Sequence, residues 1–151
     1  PLVAPDLDDR RYDDLLADMA GRALPMICAN PDKIVRSGDR ILYCAGSLAE
    51  RYAARGGKVL MAGKPFPPIY DLAMAEAARL RGGPVQRSQV LAIGDGPETD
   101  IRGAADYGLD ALLVADGITD ARAGLAAVEA SVKALVPGAR IVATVRALAW
   151  P

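Results

Sequence analysis

The 151-residue sequence contains no histidine and only two cysteines, Cys28 and Cys44. Histidine is the commonest general base and, together with cysteine, the commonest zinc ligand, so these residues build neither a usual zinc site nor a histidine-based catalytic centre. Two cysteines without neighbouring metal ligands are most simply buried thiols. Reactive groups therefore have to come from carboxylates, lysines and hydroxyls.

An excess of charge of one sign is also missing, because 18 lysines and arginines balance 19 aspartates and glutamates. The arginines are scattered and form no basic block with interleaved aromatics, which argues against nucleic acid as a partner. No apolar run approaches the roughly 20 residues that cross a bilayer, and no signal-peptide pattern opens the chain. We therefore expect a soluble, cytoplasmic protein that binds neither nucleic acid nor membrane.

The first sixty residues show the apolar patterns of two helices and two strands, separated by turn signals. Leu15 and Leu16 are expected on the buried face of the first helix. Ser47 and Glu50 have the spacing of a capping box and predict the start of the second helix. The predicted elements are a helix over Asp9 to Arg22, strands over Met26 to Ala29 and Arg40 to Cys44, and a helix from Gly46 to Gly56.

From Lys58 onward, strands and helices alternate. This alternation predicts βαβ crossovers and a parallel sheet, and therefore an α/β fold. Gly108 stands where a helix C-cap is expected. We expect one unit over residues 1–62 and a second over residues 63–151. The predicted strands cover Val59 to Ala62, Gln89 to Ile93, Asp110 to Val114 and Ile141 to Val142, and the predicted helices cover Pro67 to Arg81, Glu98 to Tyr107 and the segment from Asp120 past Val132.

The segment from Val90 to Asp100 is the most informative part of the sequence, because an apolar strand leads directly into a glycine-containing loop with two carboxylates. Ligands of α/β proteins collect at the carboxyl ends of strands. Asp95 and Asp100 offer the hard oxygen ligands that suit Mg²⁺. The loop therefore predicts a cation site. A second acidic group of this site is expected to come from outside the 151 residues.

A second feature is the segment Gly63-Lys64-Pro65, which follows a predicted strand and precedes a helix whose first turn is fixed by prolines. We expect the Lys64 ammonium group to lie over the same sheet edge as Asp95. Opposite unit charges about 4 Å apart attract by roughly 4 kcal/mol at an effective dielectric near 20. A cation placed there would offset the charge of a bound phosphate.

In combination, Gly63-Lys64-Pro65 and the loop from Gly94 to Asp100 resemble motifs III and IV of the haloacid dehalogenase superfamily of aspartate-nucleophile phosphatases. Upstream, Ala29 to Asp32 and Tyr43 to Gly46 are similar to the end of the α/β cap in its class IIA branch. The resemblance implies that residues 1–62 are the C-terminal part of a cap domain. Residues 63–151 would then be the C-terminal half of a Rossmann-like hydrolase core.

The resemblance implies Mg²⁺-dependent hydrolysis of a small phosphorylated metabolite through an aspartyl-phosphate. The nucleophile and the acid/base aspartate are expected in a segment before Pro1, so we expect these residues alone to be inactive. Lys64 would act catalytically by balancing charge. Asp95 would bind the metal directly or through water, and Asp100 would support it. The implied substrate-binding candidates are Gly96, Thr99, Asn30 and Asp32.

Two other interpretations stay open. The strand and loop from Val90 to Pro97 also resemble a nucleotide- or S-adenosylmethionine-binding Rossmann loop, although Glu98 and Thr99 stand where a dinucleotide fingerprint needs a close-packing glycine. A non-catalytic binding module is the third possibility. For the hydrolase core, a sheet without its first core strand exposes an edge, so we expect pairing with another copy or with the preceding segment.

Overall fold

A computed structural model of the chain describes residues 12–37, 40–116 and 124–149. The chain forms two compact units, Pro1–Gly63 and Lys64–Pro151. Across the described ranges, none of the helices has both the length and the apolar character needed to cross a bilayer.

The first unit combines a parallel strand pair, an antiparallel hairpin and two helices. Met26 pairs with Val59 in the parallel pair, and Ile34 pairs with Tyr43 in the hairpin. Its elements are α1 (Asp13–Gly21), β1 (Met26–Cys28), β2 (Ile34–Ser37), β3 (Arg40–Tyr43), α2 (Ala45–Ala53) and β4 (Val59–Met61). The fully buried apolar side chains of this unit are Leu16, Cys28, Ala49 and Tyr52.

The predicted first helix is confirmed from Asp13 onward, and its expected beginning lies outside the described residues. The apolar face is narrower than expected, because Leu16 is buried whereas Leu15 is 53% exposed. Sequence reasoning missed β2, whose Ile34 side chain is more than half exposed. The four residues of this strand are too few to show a clear alternating pattern in the sequence.

The predicted capping box at Ser47 and Glu50 is wrong. Helix α2 begins directly after β3, with Cys44 as its N-cap, and no side chain caps it. Ser47 therefore lies inside the first turn, where its hydroxyl donates to the Lys33 carbonyl at 2.5 Å. Glu50 instead accepts a hydrogen bond from the Lys33 ammonium group at 2.7 Å. Both side chains thus attach α2 to the hairpin segment.

The second unit is a parallel three-stranded sheet with helices, as the alternating pattern predicts. The strand order is β5-β6-β7, with Leu91 beside Asp110 and Asp110 beside Arg140. Its elements are α3 (Pro67–Arg81), β5 (Leu91–Gly94), α4 (Arg102–Tyr107), β6 (Asp110–Val114), α5 (Leu125–Leu135) and β7 (Arg140–Val145). A short 3₁₀ turn (Arg87–Gln89) precedes β5, and a π-helical turn (Pro97–Ile101) precedes α4. The α/β fold class is confirmed.

One face of this sheet carries the core. Ala111 and Leu113 alternate with half-buried residues along β6 and pack against the helices. Among the strands of the described residues, β5 has β6 as its single neighbour, and Leu91 and Ile93 are about half exposed. The remaining buried residues of the core are Ile101, Ala104, Leu109, Ala115, Val128, Val132 and Val136.

Helix ends follow the sequence closely in this unit. Helix α3 has the predicted bounds, since prolines occupy its first positions. Gly108 ends α4 with a φ of 76°, the left-handed conformation that glycine adopts without steric cost. The predicted helix from Glu98 begins instead as the π-helical turn. The predicted strand from Gln89 begins two residues later at Leu91, because the 3₁₀ turn intervenes.

One topological expectation is wrong. The strand before Lys64 was expected to belong to the same sheet as the strand before Asp95. In the structure β4 pairs in parallel with β1, and β5 pairs with β6. An apolar run identifies a strand but not its neighbour, because pairing depends on residues far away in the sequence.

Candidate functional site

The acidic loop lies at the carboxyl end of β5, as predicted. Asp95 follows the strand directly and is half-buried. The π-helical turn closes the loop, since the Ile101 N–H donates to the Gly96 carbonyl at 3.0 Å. Ile101 is 1% exposed and anchors the turn in the core. The core therefore fixes where the loop carboxylates lie.

Both oxygens of the Asp100 side chain are hydrogen-bonded within the described residues. Its Oδ2 accepts the Gly96 N–H at 3.0 Å, and its Oδ1 accepts a hydrogen bond from Lys64 Nζ at 2.5 Å. The side chain is 11% exposed. Charge-assisted hydrogen bonds of this kind are stronger than neutral ones. Because both carboxylate oxygens accept hydrogen bonds, Asp100 can hold the loop and the lysine in place.

Lys64 meets the loop although the strand before it belongs to the other sheet. The Lys64–Pro65 peptide bond is cis, and α3 begins two residues later at Pro67. The Lys64 side chain is 53% exposed, so its ammonium group remains open to solvent while it contacts Asp100. The structure therefore brings the predicted lysine to the predicted acidic loop.

Two glycines allow the tight fold of this loop. A Cβ added at Gly94 would overlap the Asp100 carboxylate, with Oδ2 only 2.6 Å away. A Cβ at Gly96 would overlap the Thr99 hydroxyl. The Gly96 N–H already donates to Asp100, whereas the Thr99 hydroxyl lies beside the loop backbone. The roles of Gly96 and Thr99 toward a substrate stay predictions.

The remaining predicted residues lie in the first unit. The Asp32 N–H donates to the Asn30 side-chain oxygen at 3.2 Å, which forms a turn closed by its own side chain. The Asp32 carbonyl accepts the Gly46 N–H at 3.0 Å. Both Asn30 and Asp32 are exposed. The turn is therefore an exposed, hydrogen-bonded feature, and its part in substrate selection stays a prediction.

Sequence reasoning missed Tyr70 of α3. Its ring stacks on Tyr107 of α4, with the centroids 5.1 Å apart and the planes at 24°. Arg87 lies above the Tyr107 ring, 4.4 Å from its centroid. Burial, followed by the negative charges of Asp100 and Asp106, raises the pKa of the Tyr70 hydroxyl. No pattern in the sequence reveals this contact, because the two tyrosines lie on different helices.

The predicted metal role of the acidic loop can be compared with the side chains that the described residues bring together. Within the described ranges, no three side chains of the types His, Cys, Asp and Glu come together as a possible metal cluster. Mg²⁺, however, is typically held by one or two carboxylates, with water and substrate phosphate completing its shell. A single carboxylate such as Asp95, at the end of β5, fits that mode of binding. It does not fit a structural zinc site, which needs four protein ligands.

Comparison with known proteins identifies the family. The family model described as HAD-hydrolase-like matches residues 61–146, more than half of the chain and all of the acidic loop. The chain belongs to this family. The predicted resemblance to the haloacid dehalogenase superfamily is thereby confirmed.

Several known proteins are similar to the chain over more than half of its length. A haloacid dehalogenase-like hydrolase from Brucella suis is 39% identical, with a TM-score of 0.66, over 93% of this chain and 50% of its own. A dihydroxyacetone phosphatase from Corynebacterium glutamicum is 35% identical over 62% of this chain and 32% of its own.

A glycerol phosphate phosphatase from Mycobacterium tuberculosis, solved in complex with magnesium, is 26% identical with a TM-score of 0.61, over 85% of this chain and 35% of its own. The chain therefore spans half or less of the length of these relatives. Its homology is to phosphatases of the HAD family.

Proposed function

We propose that this chain supplies the lysine and the acidic loop of a Mg²⁺-dependent phosphatase that hydrolyses small phosphate monoesters. The contact between Lys64 and Asp100 carries the proposal, because it places a solvent-open ammonium group beside the acidic loop at the end of β5. A cation next to carboxylates is the arrangement that a bound phosphate and a metal ion require together. The family match of residues 61–146 supports it.

The three charged residues take different roles in this proposal. Lys64 binds and orients the phosphate, whose charge it balances. Asp95 is a ligand to Mg²⁺. Asp100 fixes the lysine and the loop through the hydrogen bonds that its two oxygens accept, and it supports the metal site in this way. When bound, Mg²⁺ would supply Lewis-acid stabilisation of charge on the phosphoryl oxygens.

The nucleophilic aspartate of this chemistry is proposed to come from a segment preceding the chain. Within the described residues, β5 pairs on one edge only, with β6. Its other edge is the place where such a strand would pair, because unpaired strand edges recruit further strands. We expect the 151 residues alone to show no Mg²⁺-dependent turnover of an aryl phosphate. We also expect them to associate, so light scattering giving a folded monomer of 15.8 kDa would contradict the pairing.

The substrate class is a small phosphorylated metabolite. Two of the relatives are a dihydroxyacetone phosphatase and a glycerol phosphate phosphatase, which supports a small polar alcohol as the leaving group. The first unit is proposed to act as the C-terminal part of a cap that selects this group. The exposed turn with Asn30 and Asp32 is its candidate specificity surface.

The test is steady-state kinetics on a protein that carries this chain together with its preceding segment, using a panel of small phosphate monoesters with and without Mg²⁺. Lys64→Ala and Asp95→Asn are each expected to lower kcat/KM by a factor on the order of 10² or more. Lys58→Ala is the matched control, because this lysine is exposed and lies outside the site. Full activity of Lys64→Ala would contradict the proposal.

The nucleotide-binding interpretation is tested by the same protein. Thermal unfolding with Mg²⁺ and inorganic phosphate is expected to show stabilisation, whereas adenosine nucleotides or S-adenosylmethionine alone should produce none. Stabilisation by S-adenosylmethionine without metal would favour a Rossmann-type cofactor site instead.

A further inference from the structure

Helix α3 links Lys64 to the rest of the second unit, yet it is poorly anchored. It begins shortly after the lysine and runs for 15 residues, none of which is buried. Ile69, Leu72 and Leu80 are 39%, 66% and 71% exposed. A helix with so little burial does not fix its own position. Another contact therefore has to hold the start of α3, and with it Lys64, against the acidic loop.

Tyr70 provides that contact. It lies in the first turns of α3, and its ring stacks on Tyr107 at a centroid distance of 5.1 Å. Tyr70 also packs against the buried core cluster of the second unit. The Tyr107 hydroxyl also donates a hydrogen bond to the side chain of Asp71 in α3 at 2.5 Å. Two consecutive residues of α3 are thus fastened to a single tyrosine of α4.

Gly103 of α4 leaves the space that the Tyr70 ring occupies. A Cβ at this position would overlap the Tyr70 hydroxyl and would come within 2.7 Å of Cζ and 2.9 Å of Cε2. Only glycine lets the ring lie this close to the backbone of α4. Gly103 comes three positions after Asp100 in the continuous turn and helix. The element that seats Tyr70 is therefore the element that carries the partner of Lys64.

We infer that Tyr70, seated on Gly103 and stacked on Tyr107, is the positioning residue that holds Lys64 against Asp100. Its function in catalysis rests on the proposed phosphatase activity. The geometric part does not depend on that activity, because the ion pair between Lys64 and Asp100 is made by two side chains of this chain. Tyr70 acts on phosphate only through Lys64.

Competitive acetylation of the lysines, read by mass spectrometry, tests the geometry in the 151-residue chain without requiring activity. Acetylation of an amine is slowed when its hydrogen bond to a carboxylate must first break. We expect Lys64 to react more slowly than the exposed Lys58 in the same sample. Tyr70→Ala should raise the Lys64 rate roughly two- to fivefold, the factor expected for loss of an exposed ion pair.

Three matched variants make the result specific. Tyr70→Phe keeps the stacked ring and should preserve the slow Lys64 rate. Leu72→Ala removes an exposed side chain from the same helix and should change nothing. Gly103→Ala displaces the ring from the opposite helix, and should raise the rate as Tyr70→Ala does. Gly103→Ala therefore keeps the proposal testable if the Tyr70→Ala protein fails to fold.

A folded Tyr70→Ala or Gly103→Ala protein with an unchanged Lys64 rate would overturn the inference. Folding is checked by circular dichroism and by an unaltered acetylation rate of Lys133, whose partner is Glu129 on the same helix. If labelling rises as expected, but a protein that carries this chain and its preceding segment shows no phosphatase activity, the proposed function alone is refuted. In an active protein, Tyr70→Ala is expected to lower kcat severalfold and Tyr70→Phe to restore it.

Discussion

The Lys64 ammonium nitrogen lies 2.5 Å from Oδ1 of Asp100, although the strands preceding these two residues belong to different sheets. The pair is therefore not a consequence of strand pairing. It depends on how α3 and the π-helical turn meet inside the second unit. The acidic loop itself is fixed separately, by the buried Ile101 and by the hydrogen bond from Gly96 to Asp100.

Substitution of Gly94 tests how tightly the loop depends on Asp100. Gly94→Ala is expected to lower the free energy of unfolding by about 1–3 kcal/mol, because the added Cβ overlaps the Asp100 side chain and overpacking is costly. Urea denaturation measures this change. Gly83→Ala is the matched control in the same unit, since a Cβ there contacts nothing within 4 Å. Equal effects of the two variants would contradict the close packing at Gly94.

The hydrogen bonds of Ser47 give a second prediction, for the first unit. Ser47 is 7% exposed and donates to the Lys33 carbonyl. Ser47→Ala should therefore destabilise the protein by about 1–2 kcal/mol. Glu50→Ala should cost less than about 1 kcal/mol, because its ion pair with Lys33 is 61% exposed on both sides. Denaturant unfolding that gave similar losses for both variants would instead favour the reciprocal capping box.

Glu129 gives a prediction for pH. Hydrogen bonds from Lys133 and then Thr144 hold the pKa of Glu129 below its ordinary value of 4.5. A carboxylate with a lowered pKa stabilises the folded state above that ordinary value, and the contribution is lost as the pH falls through the folded-state pKa. Glu129→Gln should thus reduce stability at neutral pH by less than about 1 kcal/mol, since the pair is partly exposed.

The difference between Glu129→Gln and the unchanged protein should shrink as the pH falls below 4.5. Denaturant unfolding at neutral pH and at progressively lower pH measures it. A difference that stayed constant, or that grew on acidification, would show that the hydrogen bonds to Glu129 do not favour its charged form.

Local signals in the sequence predicted much of the fold. The bounds of α3 follow from the prolines at its start, and the end of α4 follows from Gly108. Strand β6 was predicted over the observed residues, because a short apolar run follows the helix-ending glycine Gly108. These features depend on neighbouring residues, so a single sequence contains them.

Features that depend on distant residues were not predictable. Nothing within β4 shows that it pairs with β1 and not with β5. The proximity of Lys64 to the acidic loop was expected from the two motifs. The hydrogen bonds to both Asp100 oxygens were not, because they depend on the three-dimensional path of the loop. The role of Tyr70 was not predicted, because it depends on stacking against Tyr107, which lies on another helix.

The most direct test of the proposed site is a crystal structure of a protein carrying this chain and its preceding segment, grown with Mg²⁺ and a phosphate analogue. We predict an Asp95 oxygen about 2.1 Å from the metal, and Lys64 Nζ within hydrogen-bonding distance of a phosphate oxygen, about 3 Å. A metal ion bound away from Asp95, or a phosphate that Lys64 does not contact, would contradict the account.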